Sequence, residues 1–209
     1  IMNEQNGQVH LTIHDGVAAI LIDRPQARNA MTWAMYEELG AICTRIAADR
    51  SVRVTTIRGA GGEAFVAGTD IEQFSAFKGG EDGIAYEQAI AGACTGGGAG
   101  IAACCDIRIG TESTRIGFPI ARTLGNCLSM TNTARVVAAV GVPTAKRLLL
   151  LAETISAAEG LACGFVTRVA EPEALDAEVA AMCKRLAGHA PVTMRVSKEA
   201  IRRLTNAGL

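Results

Sequence analysis

The stretch "GACTGGGAGIAACCDIRIG", residues 92–110, sets three consecutive glycines between an apolar run and an alanine-rich segment that reads as a helix. Glycine costs conformational entropy wherever it stands, so a run of three implies that something approaches the backbone closely. Three readings are open: a phosphate cradle, an oxyanion hole, or a flexible turn. A phosphate loop of the G-x-x-x-x-G-K-[ST] type needs a lysine, and none follows Gly96, Gly97 or Gly98. "GAGGEA", residues 59–64, follows a predicted strand with dinucleotide-like spacing, but "FVAGTD" comes next instead of an apolar helix. The oxyanion reading fits better. A glycine where a strand passes into a helix offers a bare N–H, and the positive end of the helix adds to its field. A second backbone donor is then required. "FVAGTD", residues 65–70, is a small-residue turn suited to supply it, an ordinary turn being the other reading.

With 209 residues, 49% of them hydrophobic, the chain can bury the core of one compact domain. A net charge of −1 and only 4% aromatic residues argue against a nucleic-acid partner or an anionic membrane surface. The seven cysteines form no C-x-x-C pair, so buried thiols in a reducing compartment are expected. His10, His14 and His189 match no metal spacing, and no metal site is expected. No basic-then-apolar leader opens the chain and no apolar run has bilayer-spanning length, which points to a cytoplasmic protein with no membrane role. Ile1 ahead of Met2 reads as an addition to the natural start.

Residues 9–15 and 17–23 read as strands meeting at Asp15-Gly16, a hairpin signal. Residues 32–49 carry Tyr36, Leu39, Cys43 and Ile46 at helical spacing, with Glu37 and Glu38 near the positive end. Residues 52–58 return to a β-branched strand, and residues 59–74 read as a loop, a short strand and a helical turn. "KGGEDG", residues 78–83, reads as an exposed loop and residues 89–94 as a short strand. "DIRIG", residues 106–110, reads as another strand. Ser156 and Glu159 form a capping box, and Gly164 is placed to end the helix it opens. Residues 176–187 and 192–204 are the last helical stretches. The alternation describes one α/β domain with a helical C-terminal part.

Five segments carry a family resemblance: "DRPQARNAMT" (residues 23–32), "FVAGTDI" (65–71), the glycine stretch prolonged to residue 113, "IGFPIARTLG" (116–125) and "AETISAAEGLACGFVTRVAEPEAL" (152–175). In order and context they resemble the crotonase superfamily, the enoyl-CoA hydratase/isomerase family, over nearly the whole chain. The resemblance implies a crotonase-like (ClpP/crotonase) α/β spiral of ββα units. Residues 1–140 would form the spiral core with the CoA and oxyanion site, and residues 141–209 a helical C-terminal region of the same domain. It also implies a homotrimer or dimer of trimers and an acyl-CoA substrate, with coenzyme A entering as part of the substrate and no separate cofactor. The shared chemistry is stabilisation of an enolate-like anion formed from the thioester. By resemblance, the donors are the backbone N–H groups of Thr69 and Gly97. The backbone at Asp70, Ile71 and Glu72 would lie along adenine and pantetheine, and Ala67, Gly68, Gly96 and Gly98 flank the two donors as further substrate-binding residues. Arg24 and Arg28 stand near where the family sets basic residues against CoA phosphates, a solvated loop charge being the other reading. Asp70 is expected to cap the turn that shapes the first donor.

The sequence also departs from the family pattern. Hydratases of the family position and activate water with two glutamates, and those two positions here are Gly100 and Ile120. Neither glycine nor isoleucine transfers a proton. Family isomerases keep the second glutamate, which is missing too. Glu112 reads as a structural acid. Arg122, Thr123, Asn126 and Cys127 lie in an expected loop beyond Ile120 where they could face substrate; Cys127 as a nucleophile would need a base, and no histidine is near in sequence. The connection between "GTDI" and the triple glycine is shorter than the family's, so residues 87–91 read as a join between segments of a longer chain, a genuine deletion being the other reading, and Leu209 comes before the family's usual last helices. Three functions follow from this pattern. One is an enzyme of the hydratase/isomerase type. The second keeps the oxyanion hole but carries out thioester hydrolysis, decarboxylation or carbon–carbon cleavage. The third is a catalytically silent acyl-CoA binding protein.

Overall fold

The structure, a computed structural model, describes residues 7–70, 97–123 and 127–206. The chain divides into two compact units, Ile1–Ile101 and Ala102–Leu209. The expected strand at residues 89–94, the loop at 78–83 and the join at 87–91 lie outside the described residues.

In the first unit, β1 (Gln8–His14) and β2 (Val17–Asp23) form an antiparallel hairpin registered from Gln8↔Asp23 to His14↔Val17. Asp15 and Gly16 both take positive φ, 48° and 75°, as a two-residue turn matched to the strand twist requires. The chain passes through a 3-10 turn at Pro25–Ala27 into α1 (Trp33–Ala48) and returns as β3 (Val54–Gly59), parallel to β2. Two strands followed by a helix that packs back on them make one ββα unit. Thr32 caps α1, its hydroxyl accepting the Met35 N–H at 3.3 Å. Met35, Tyr36 and Leu39 turn inward onto Val9, Ile20, Ile22, Met31 and Ile101.

Two helix expectations are corrected here. The apolar stripe continues from Leu39 to Ile42, which packs on the core, while Cys43 is exposed. A step of three rather than four residues keeps the side chain over the sheet. Glu38 serves the sheet and not the helix end: its carboxylate accepts the Val9 N–H at 2.9 Å.

A short helix, α2 (Gly98–Ala103), runs from the first unit into the second. The second unit pairs β4 (Ile109–Gly110) with β7 (Arg168–Val169) in parallel, and β5 (Arg115–Gly117) with β6 (Thr154–Ser156) antiparallel. The strand expected over residues 106–110 shrinks to its last two residues because Arg108 is engaged elsewhere. Its guanidinium donates to the Ala102 carbonyl at 3.3 Å and to the carbonyls of Cys105 and Phe165, and it lies 4.8 Å over the Phe165 ring. Burial lowers the Arg108 pKa, an effect opposed by neighbouring acidic groups.

Residues 120–123 are α3 (Ile120–Thr123), a helical turn where a loop was expected. Helix α4 (Met130–Leu150) is broken at Gly141, φ 75° and ψ 160°, with Pro143 just inside the restarted half, where its missing N–H costs nothing. The capping box forms as expected at the head of α5 (Ala157–Ala162): Ser156 Oγ accepts the Glu159 N–H, and the Glu159 carboxylate accepts the Ser156 N–H at 2.9 Å. Gly164, φ 83°, follows its end. Helices α6 (Leu175–Ala187) and α7 (Pro191–Asn206) complete the described chain. Of the six described cysteines Cys183 is buried and Cys104, Cys105 and Cys163 are partly so, while the expectation of buried thiols fails for the exposed Cys43 and Cys127. Burial pushes the Cys105 thiol up to about 11, and the neighbouring Cys104 adds to the shift.

Candidate functional site

Thr69 meets Met31 in an isolated parallel bridge. The bridge is made by its neighbours: the Gly68 carbonyl accepts the Met31 N–H at 2.8 Å, and the Asp70 N–H donates to the Met31 carbonyl at 2.9 Å. A peptide unit is planar and trans, so its C=O and N–H point in opposite directions. Fixing the Gly68 carbonyl toward Met31 therefore aims the Thr69 N–H the other way. Met31 itself is fully buried, so the anchor of this peptide is core and not loop.

The loop is supported at two further points. Tyr36, 2% exposed on α1, shares a 2.9 Å hydrogen bond between its hydroxyl and Thr69 Oγ1. Arg24 pairs with the Asp70 carboxylate at 2.8 Å and donates to the Ala30 carbonyl at 3.0 Å. Their side chains are 14% and 15% exposed, so this pair is largely desolvated. The reading of Arg24 as a solvated loop charge is thereby corrected: its guanidinium is largely desolvated against Asp70. Asp70 in turn holds the turn through that ion pair, and the residues it was expected to cap lie outside the described ones. Arg28 is the exposed cation of the two, on a left-handed backbone with φ 50°.

Asn29 is the polar residue that sequence reasoning missed. Fully buried, it accepts the Arg24 N–H at 2.9 Å and donates to the carbonyls of Ala60 and Ala64 at 2.9 and 2.8 Å. It thus ties the loop after β2 to the loop after β3. Its φ of 58° is one that asparagine tolerates better than most residues, and "RNA" before a capped helix is the signal that was available.

The glycine run answers its opening question in two parts. Gly97 has φ 88°, and its carbonyl accepts the N–H groups of Gly100 and Ile101, so it sits just before α2 instead of within it. A methyl group on Gly97 would stand 3.6 Å from Gly68 Cα, which sets the two turns backbone to backbone. Gly98 has a stricter reason: a Cβ there would fall 1.9 Å from the Val66 carbonyl oxygen. What approaches the third glycine is the chain's own backbone. Ala67 is held on the same loop, its N–H donating to the Arg28 carbonyl at 3.0 Å.

Gly100 is buried on α2, and Ile120 is half-buried as the first residue of α3. Glu112 is exposed, and its backbone carbonyl accepts from Arg115 at 3.0 Å. Arg122 and Cys127 are exposed. Ile71, Glu72, Gly96 and Asn126 lie outside the described residues. An open depression of about 430 Å³ on the sheet is lined in part by His10, Thr12, Leu21 and Arg58, and none of the residues expected to bind substrate is among its described lining. Among the described residues no His, Cys, Asp and Glu cluster is arranged to hold a metal, and no helix is long and apolar enough to cross a membrane.

Two family profiles, both described as enoyl-CoA hydratase/isomerase, match residues 17–90 and 85–208. A short-chain-enoyl-CoA hydratase of Clostridium acetobutylicum is 33% identical over 204 residues, covering 90% of this chain and 78% of that protein. A crotonyl-CoA hydratase of Syntrophomonas wolfei is 32% identical, covering 88% and 77%. Among solved structures, an enoyl-CoA hydratase/carnithine racemase from Magnetospirillum magneticum superposes with a TM-score of 0.89 at 33% identity, over 95% of this chain and 81% of that one.

Proposed function

The chain belongs to the enoyl-CoA hydratase/isomerase family and has the crotonase-like fold, and from that premise we propose that it polarises the thioester carbonyl of an acyl-CoA with the backbone N–H groups of Thr69 and Gly97. The observation that carries this reading is the pairing of the two turns: Gly97 stands against Gly68, whose carbonyl is held by Met31 so that the Thr69 N–H faces away from the core anchor. Two amides aimed at one oxygen stabilise the negative charge that develops there when the α-carbon loses a proton or a nucleophile adds to the β-carbon. Coenzyme A enters as part of the substrate, with Arg28 as the exposed cation for its phosphates and with neither a metal nor a separate cofactor in the chemistry. The working form is a cytoplasmic homotrimer or dimer of trimers.

Hydration is the weaker outcome for this site. Adding water to a 2-enoyl-CoA needs a base for the water and an acid for the α-carbon, and Gly100 and Ile120 supply neither. That substitution favours a second outcome on the same oxyanion chemistry, namely thioester hydrolysis, decarboxylation or carbon–carbon cleavage. A catalytically silent acyl-CoA binder is the limiting case. A panel of acyl-CoA thioesters incubated with the chain and read by mass spectrometry separates these outcomes. Product identity names the reaction; tight binding without turnover leaves the binder; no binding of any thioester rejects the reading.

A further inference from the structure

We propose that Tyr36 is a positioning residue of this site, acting through the side chain of Thr69; the inference rests on the oxyanion reading above. The Thr69 N–H belongs to the peptide that follows Gly68, a residue at φ 137° with no atom of the described residues within 4 Å of where a Cβ would stand. Glycine itself brings no side chain to hold the peptide on that side. Met31 fixes the carbonyl end of the unit, and the Asp70 N–H fixes the next one, but both bonds lie along the same bridge. Rotation of Thr69 about that line is restrained from the perpendicular direction by its own side chain, because a strand residue sends its Cβ out of the plane of the ladder.

That side chain is held by Tyr36. The tyrosine ring is 2% exposed, on a capped helix, among Met31, Met35 and Leu39, so its hydroxyl is a fixed point of the core and not a surface group. Threonine is β-branched with a stiff χ1, so fixing Oγ1 at 2.9 Å from the tyrosine oxygen fixes the orientation of Cα and of the amide attached to it. The hydroxyl pair thus supplies the restraint across the bridge that glycine at position 68 cannot. Tyr36 touches no substrate in this scheme; its effect on chemistry passes through the angle of one N–H.

The probe is acetoacetyl-CoA, whose enolate absorbs in the ultraviolet and whose apparent pKa reports stabilisation of the thioester oxyanion without needing any protein acid or base. The variants are Tyr36→Phe, which removes only the buried hydroxyl, Thr69→Val, which removes its partner and leaves the core untouched, the double variant, and Thr69→Ser. Loss of one hydrogen bond corresponds to about 3- to 10-fold weaker enolate stabilisation, that is, an apparent pKa of the bound probe raised by about half to one pH unit. We expect that rise in each single variant, no further rise in the double variant, and near-native behaviour in Thr69→Ser. We also expect the Thr69 amide to exchange with deuterium about 10-fold faster in Tyr36→Phe and Thr69→Val, with or without probe. Singles that keep the native apparent pKa and native exchange overturn the inference, as does a double variant whose effects add, since additive losses come from independent contacts. Failure of the unmodified chain to bind or shift the probe rejects the oxyanion reading instead, and amide exchange then still decides whether Tyr36 holds Thr69.

Discussion

The turn at Thr69 and the turn leading into Ile120 are held by different means. Thr69 is fixed by a backbone bridge to buried Met31, a hydroxyl bond to Tyr36, and the Arg24–Asp70 pair beside it. Behind that loop the buried Asn29 side chain makes three partly buried hydrogen bonds. The Ile120 segment is held by an apolar anchor, Phe118 at 1% exposure, and by the short β5–β6 pairing before it. Directional bonds aim a group, whereas apolar contact only keeps a segment in place. The first turn is built as if the orientation of an N–H matters, and the second carries isoleucine, which cannot move a proton, at position 120.

The contrast is tested most heavily by hydration. Each proton-transferring group is worth about 10²–10⁴-fold in rate, so crotonyl-CoA hydration should run at least about 10⁴-fold below that of a two-glutamate family member assayed alongside. Restoring the acids with Ile120→Glu and Gly100→Glu is expected to give little back, because Gly100 is buried and a carboxylate there is costly. Native-like hydratase turnover by the unmodified chain would show an acid or base outside the two expected positions.

Next come the supports of the Thr69 turn. Asn29→Ala should destabilise the chain by about 3 kcal/mol in urea titration, since it leaves two carbonyls and one N–H buried without their partner. Gly98→Ala should cost a similar ~3 kcal/mol, because its methyl group collides with the Val66 carbonyl and the two glycine turns must separate. If either variant unfolds at the native midpoint, the turn is not held as described.

How much of this was legible in the sequence differs between the two turns. The hairpin at Asp15-Gly16, the span of α1 and the capping box at Ser156 rest on local chemistry, turn φ angles and helix caps, and all three appear where the residues put them. The order of small-residue motifs made the family readable. What stayed hidden depends on partners far apart in the chain: Asn29 reaches residues 31 and 35 positions away, and Tyr36 meets Thr69 across 33. Tyr36 read as one more apolar residue in a helical stripe, since nothing local shows where its hydroxyl goes. The pairing of Arg24 with Asp70, far on in the chain, was hidden for the same reason. The strand at residues 106–110 was overestimated because a β-branched pattern does not show that Arg108 has turned to cap the preceding helix.

A smaller effect belongs to the second unit. Burial pushes the Cys105 thiol up to about 11, while the same thiol in the unfolded chain ionises near its ordinary value of 9.0. A raised pKa in the folded state means its contribution is fully present below about 9 and is lost as pH rises toward about 11. The urea midpoint should therefore fall across that interval, and Cys105→Ala should flatten the fall. An unchanged slope in Cys105→Ala would assign the loss to other groups.

The central claim, two backbone amides that stabilise an enolate beside Gly100 and Ile120 at the two expected glutamate positions, is tested most directly by titrating acetoacetyl-CoA bound to the unmodified chain and following its enolate absorbance. Stabilisation of the enolate over the neutral ketone by two aimed N–H groups predicts an apparent pKa at least about one unit below that of the free thioester. A bound probe that titrates at or above the free value would contradict the account.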